Sequence, residues 1–201
     1  MLPCDTLVYE LGTVADTSAV PGVEDHAYTL SSAQDAELLA DRLGRLGTGT
    51  VVVGGSGLTG IESAAEIAER HPELNVVLLG RAEPGAAMNP KAKAYVHAAL
   101  DRLGVKVRAG VEVVKVRPDA VELAGGESIA ADAIGDAAAI RQGYGVMHGT
   151  CQGGMPTGVH AALSIDRVLR GKQPKRFRFG YYYAPVSLGR GDAVVQFTQT
   201  H

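Results

Sequence analysis

Six consecutive residues carry the clearest chemistry in this 201-residue chain: Gly55, Ser56, Gly57, Leu58, Thr59 and Gly60 form a G-x-G-x-x-G. They follow the β-branched run TVVV at residues 50–53 and open a stretch of helical periodicity. In that setting the first glycine permits a tight turn, the second lets a pyrophosphate approach the backbone, and the third lets the helix lie against the strand. Unpaired N–H groups and the positive end of the helix dipole then face the phosphates. The pattern predicts dinucleotide binding. A glycine turn that binds nothing is the alternative, and it leaves the second strand at the expected distance unexplained.

At the end of that second strand, residues 75–79, an NAD site usually carries Asp or Glu for the ribose hydroxyls, whereas this chain has Gly80-Arg81. A carboxylate would repel a 2'-phosphate; glycine leaves room for one, and a guanidinium pairs with it bidentately. NADP(H) is therefore expected to bind more tightly than NAD(H). The competing explanation is that Arg81 is a solvated turn residue. Glu62, two residues after the third glycine, is the single catalytic candidate and has two readings. It either acts at the nicotinamide or lies in the first helical turn for the dipole alone. His148, His160 and the tyrosines at 181–183 show no ligand or triad spacing, and His148 and His160 are expected to make polar contacts or stay exposed. No metal site is expected. Cys4 and Cys151 are too few and too far apart for a zinc site or a disulfide framework, and they form no redox pair.

The rest of the sequence supplies the scaffold. A helix is expected over residues 33–46, capped by Ser31 or Ser32, with Leu38, Leu39, Leu43 and Leu46 on one face and Gly47 at its end. Strands at 50–53, 75–79 and 105–108 alternate with helices at 58–70 and 90–103, a βαβαβ run whose right-handed crossovers make the strands parallel. From residue 111 to 129 the period shortens to two, with turns at Pro118-Asp119 and Gly125-Gly126, and reads as an antiparallel meander. A strand at 6–11, a glycine-rich stretch at 135–158, a helix from 157 to 169, a basic turn at 170–178 and a hairpin around residues 189–192 complete the chain. The fold class is α/β: a Rossmann-like domain with a parallel sheet and a meander. Composition agrees, with 46% hydrophobic residues, 20% charged residues and 26 glycines. A net charge of -3 and a pI of about 6.1 offer no footprint for nucleic acid. No apolar run is long enough for a membrane span, and no secretory leader is visible, so a cytoplasmic protein is expected.

Taken together, TLVYELG, Pro21-Gly22, VVVGGSGLTGIESA, the meander, Gly135-Asp136 and FRFGYYYAPVSLGRGDAVVQF resemble the FAD-dependent pyridine nucleotide oxidoreductases, nearest their type II NADH dehydrogenase-like branch. The resemblance implies an NAD(P)H domain inserted into an FAD domain. It implies residues 1–32 as an FAD-domain strand and linker, 33–133 as the NAD(P)H domain, and 134–201 as the FAD-domain tail with the start of an interface region. By the same resemblance Asp136 meets the flavin ribityl chain beside Gly135, Glu62 stands near the nicotinamide, and hydride passes from NAD(P)H through FAD to a small acceptor. The family's first G-x-G-x-x-G would precede Leu7, and the segment Ala131-Asp132-Ala133-Ile134-Gly135-Asp136 nearly fuses two motifs that a crossover separates in the family. The resemblance therefore implies either a shortened form with a remnant of the FAD domain, or a working enzyme that includes residues beyond this sequence. A flavin-free relative, serving as a nucleotide-binding module, a partner subunit or a repurposed non-redox enzyme, is the second functional reading. A homodimer, or a partner supplying the missing FAD half, is expected to cover the apolar surface left by residues 6–11 and by Val159, Leu163 and Val168.

Overall fold

The computed structural model describes residues 16–136, 151–177 and 183–197. The strand expected at 6–11, both Cys4 and His148, and the glycine-rich stretch from 137 to 150 lie outside the described residues. In chain order the elements are α1 (Val23–His26), β1 (Tyr28–Thr29), α2 (Ala33–Leu46), β2 (Gly49–Gly54), α3 (Leu58–Arg70), β3 (Leu74–Gly80), α4 (Pro90–Arg102) and β4 (Lys106–Ala109). They continue as β5 (Val113–Arg117), β6 (Ala120–Leu123), β7 (Ser128–Ala130), β8 (Ala133–Asp136), α5 (Cys151–Leu169), β9 (Tyr183–Ser187) and β10 (Ala193–Phe197). The chain divides into two compact units, Val14–Ala139 with Ala184–Gln196, and Met1–Thr13 with Ile140–Tyr183 and Phe197–His201.

The first unit is built on a five-stranded sheet in the order β1-β8-β2-β3-β4, with every pairing parallel. The βαβαβ run supplies β2, β3 and β4, as expected from sequence. β2 is the central strand, and Val51, Val52 and Val53 are buried on both faces, which is why the segment reads as an unbroken apolar run. Val51, Val53, Val76 and Leu78 face the helices α2, α3 and α4. Val52, Val77 and Leu79 face the other way, onto Val116, Val121 and Leu123 of the antiparallel meander β5-β6-β7 and onto Val23 of α1. The alternation of neighbouring residues between two cores is the period-two geometry of a strand.

Local chemistry sets the helix ends. Ser32 caps α2, its hydroxyl accepting from the Asp35 amide at 3.1 Å, and Gly47 ends the helix at a φ of 66°. Asn89 caps α4 in the same way, its side chain accepting from the Ala92 amide at 2.9 Å with Pro90 at the first helical position. On α2 the buried stripe is Leu39 and Leu43, with Leu46 packed beside them, while Leu38 is 54% exposed. Expecting Leu38 on that face was mistaken: it lies 100° round the helix from Leu39, off the i, i+4, i+7 stripe.

Two strands beyond the expected three complete the sheet, and both draw on residues outside the range 33–133 expected for the NAD(P)H domain. β1 falls within residues 1–32, and β8 spans the limit placed at 133/134. Of the compressed segment 131–136, Ala133–Asp136 form β8, a strand of this parallel sheet. Asp132 anchors its start: its amide donates to Thr50 O at 2.8 Å, its carboxylate accepts from Thr50 N at 2.8 Å, and its carbonyl accepts from Arg42 Nη2 at 2.7 Å. Each edge of β2 is thereby paired, as a buried central strand requires.

The β9-β10 hairpin turns at 188–192, where sequence placed it, and it too belongs largely to the first unit. Val186 and Leu188 are 0% and 1% exposed and pack into the helix-side core. In the other unit α5 starts at Cys151 rather than near Thr157, because the backbone stays helical through a segment whose Gly153, Gly154 and Pro156 suggest a loop. The His160 ring lies 5.0 Å from that of Phe177, and its Nε2 shares a 3.3 Å hydrogen bond with Ser164 Oγ, the polar contact expected of it.

Candidate dinucleotide site

β2 delivers the chain to the carboxyl end of the sheet at Gly54, and the glycine loop turns there into α3. Gly55 adopts a φ of 113°, a conformation that favours glycine, and its amide donates to Leu79 O at 2.8 Å, which ties the turn to the end of β3. Gly57 is the N-cap of α3, extended at φ -72° and ψ -177°, with no side chain capping the helix. The first intrahelical bond is Ile61 N to Gly57 O at 3.0 Å, so the amides of the first turn point out of the helix end without an intrahelical acceptor. A Cβ added at Gly57 would meet nothing within 4 Å, whereas Gly60 is buried where α3 lies on the sheet. The three glycines therefore do three different jobs: backbone conformation at 55, an open approach at 57 and close packing at 60. An anion placed over Gly57 meets unpaired amides and the positive end of the helix dipole.

Ser56 is half-buried, and its hydroxyl donates to Ala82 O at 2.6 Å, binding the glycine loop to the loop after β3. Leu58 packs partly against the core, and Thr59 is exposed. Gly80 lies beneath Ser56, and Arg81 is exposed with no hydrogen bond or ion pair among the described residues.

Glu62 stands elsewhere than expected within its helix. Because α3 begins at Leu58, Glu62 is its fifth residue, and the first turn holds no acid. The first-turn dipole reading is corrected, since that effect fades beyond one turn. Its Oε1 instead accepts from the Ser187 amide of the hairpin at 2.9 Å. Gly135 and Asp136 end β8, in register with Val53 and Gly54 on one side and with Tyr28 and Thr29 on the other. They thus lie in the five-stranded parallel sheet, beside the strand that feeds the glycine loop.

Sequence reasoning missed the contacts that hold the hairpin on α3 and α4. Glu62, Glu66 and Glu69 recur at i, i+4 and i+7, a spacing that reads as a solvated stripe but receives the hairpin backbone. Arg190 donates from its amide to Glu69 Oε2 at 2.5 Å and from its Nε to Glu66 Oε1 at 2.8 Å. On α4, Tyr95 donates to Asp192 Oδ1 at 2.7 Å, and Arg102 pairs with the other oxygen. The Tyr95 hydrogen bond, helped by Arg102, holds the Asp192 carboxyl below the usual range, and the same carboxylate raises the Tyr95 phenol. Among the described residues no cluster of His, Cys, Asp and Glu could hold a metal, and no helix is long and apolar enough to cross a membrane.

Known proteins are similar to this chain in sequence and in fold. An NADH dehydrogenase-like protein of Mycobacterium tuberculosis is 34% identical over 145 residues, covering 63% of this chain and 36% of that protein. Type II NADH:quinone oxidoreductase of Staphylococcus aureus is 32% identical over 82 residues, covering 35% of this chain and 20% of that protein. The chain thus spans about a third or less of these relatives. Among solved structures, NDH2 from Plasmodium falciparum in complex with NADH aligns at a TM-score of 0.57 and 14% identity, over 66% of this chain and 34% of that one, a likeness of fold. The sequence profile of the pyridine nucleotide-disulphide oxidoreductases matches residues 1–170. With that match over most of its length and the Rossmann-type loop in place, the chain belongs to the pyridine nucleotide-disulphide oxidoreductase family.

Proposed function

We propose that residues 55–60 bind the pyrophosphate of NAD(P)H, that Arg81 favours NADPH over NADH, and that the chain serves the nucleotide half of an NADH dehydrogenase-like oxidoreductase reaction. The observation that carries this reading is the open space over Gly57 at a helix end whose amides are unpaired, directly after the central strand of a parallel sheet. When bound, the nicotinamide supplies the hydride, and the protein supplies its position. Gly55, Ser56, Gly57 and Gly60 shape the phosphate seat, Leu58 and Thr59 begin the helix that faces it, and Gly80-Arg81 borders the adenosine end. Glu62 acts on the hairpin through Ser187, so its part in the site is to position rather than to react.

The described residues do not fit FAD as they fit the nucleotide. They contain no second glycine loop on a strand-to-helix turn, and Gly135-Asp136 lies in the nucleotide sheet. Two readings separate on one preparation titrated with NADPH and NADH. A yellow protein whose visible band bleaches on adding NADPH passes hydride to flavin and on to a small acceptor. A colourless protein that binds NADPH is a flavin-free nucleotide-binding module. Failure to bind either nucleotide overturns both. A second copy of this chain is the proposed partner for the exposed apolar residues of α5.

A further inference from the structure

The five-stranded sheet ends at β4, whose residues Lys106–Ala109 pair with Val77–Gly80 of β3. Among the described residues no strand pairs with its other side, so a row of backbone donors and acceptors stands at that edge. Beside the strand lies an open groove of about 410 Å³, lined by His97, Ala98 and Asp101 of α4 and by Val105 and Val107. Val105 is buried and Val107 half-buried, which gives the groove an apolar floor, while Ala98 is small and exposed. The His97 ring is fixed as a wall, its Nε2 donating to Pro84 O at 3.0 Å. Alternate residues of β4 go to opposite faces: Val107 is aligned with Leu78 of the helix-side core, Lys106 and Arg108 with Val77 and Leu79 of the meander side. The two cations differ. Glu127 neutralises Arg108, whereas Lys106 meets the neutral Asn75 Oδ1 at 3.4 Å and pairs with no acid among the described residues.

An open edge beside a side-chain groove is the geometry of strand addition, in which main-chain bonds hold an extended segment and a pocket selects alternate side chains. Charge decides which segment fits. If two copies of this chain joined β4 to β4 antiparallel about a two-fold axis normal to the sheet, residues of equal parity would face each other, and Lys106 would stand opposite Lys106 or Arg108 of the second copy. Like charges directly opposite work against that pairing. An acid in the same place pairs with Lys106, and the next residue along, on the other face, enters the groove over Val105 and Val107. We propose that the β4 edge is a docking site for a partner protein that contributes an extended segment alternating acidic with apolar residues, the acid opposite Lys106 and the apolar side chain in the groove. Nothing in this surface depends on a bound nucleotide.

The test uses the full chain and two short blocked peptides at low ionic strength, one alternating valine with glutamate and the other valine with lysine. Fluorescence anisotropy of the labelled peptides reads affinity, and amide hydrogen exchange at residues 106–109 reads location. The glutamate peptide should bind in the micromolar range, about tenfold more tightly than the lysine peptide, and slow exchange along β4. Lys106→Glu should reverse that preference. Ala98→Phe, at an exposed helix position, should fill the groove and weaken the glutamate peptide by about tenfold, and both variants should melt as the wild type. No binding of the glutamate peptide, equal binding of the two, or a preference that survives Lys106→Glu overturns the proposal. So does binding untouched by Ala98→Phe, or binding that leaves exchange at residues 106–109 unchanged. A dimer in light scattering that Ala98→Phe returns to monomer would show a second copy on this edge and overturn it as well.

Discussion

At the scale of single residues, Gly57 separates folding from binding. Its φ of -72° is open to any residue and no neighbour lies within 4 Å of an added Cβ, so the protein itself has little use for a glycine there. Gly57→Val should fold, at an N-cap cost under about 1 kcal/mol, yet weaken NADH and NADPH alike by roughly tenfold or more, because the side chain stands where the pyrophosphate approaches. Calorimetric titration beside a melting curve checks both halves; a variant that binds as the wild type would show that phosphate does not sit at this helix end. Arg81→Ala should act on one nucleotide only. Losing a charge-assisted contact weakens NADPH by about tenfold and leaves NADH unchanged, and equal affinities in wild type and variant would remove the arginine from the site.

At the scale of elements, the hairpin and the two helices beneath it form a unit held by carboxylates. Glu62 Oε1 holds the Ser187 amide, so Glu62→Ala should speed hydrogen exchange at Ser187, whereas Glu62→Gln, which keeps an acceptor, should restore most of the protection. Unchanged exchange in Glu62→Ala would argue against the positioning role. Asp192 gives the docking a pH dependence. Because its folded pKa lies below the unfolded value, its contribution is present above the unfolded value, near pH 4, and fades as pH falls through the lower folded value. Tyr95 works in the opposite sense: with its folded pKa raised, its contribution holds below about pH 10 and is lost as pH rises through the folded value. Hairpin amides should therefore be protected between these limits, and Asp192→Asn should flatten the acid limb. Across the sheet, Arg108 at edge strand β4 grips Glu127 with two parallel bonds, 2.6 and 2.8 Å long, which ties the sheet to the meander.

At the scale of the whole molecule, stability is shared by layers that are far apart in sequence. Val186 is fully buried although it arrives more than eighty residues after the helices it covers, so Val186→Ala should destabilise the first unit by about 2 kcal/mol in chemical denaturation. A change near zero would mean that the hairpin is an appendage. In α5 of the other unit, Val159, Leu163 and Val168 are 57%, 60% and 58% exposed, and a second chain covering them should give a dimer mass in light scattering. A monomer mass across the micromolar range, with no partner co-purifying, removes that proposal.

What was legible in the sequence was what local chemistry writes there. The β-branched run of β2, the glycine spacing after it, the serine cap of α2 and the period-two meander are patterns within about twenty residues, and the parallel order of β2, β3 and β4 follows from the handedness of their crossovers. The tertiary structure alone decided that two-residue β1, too short to show a period, and the compressed strand β8 complete the sheet. It also decided that Glu62, Glu66 and Glu69 receive a hairpin. Ser56 meets Ala82 across 26 residues and Glu62 meets Ser187 across 125, separations at which no local periodicity exists. A glutamate stripe looks the same in sequence whether water or a backbone amide fills its acceptors, and only the folded chain determines which.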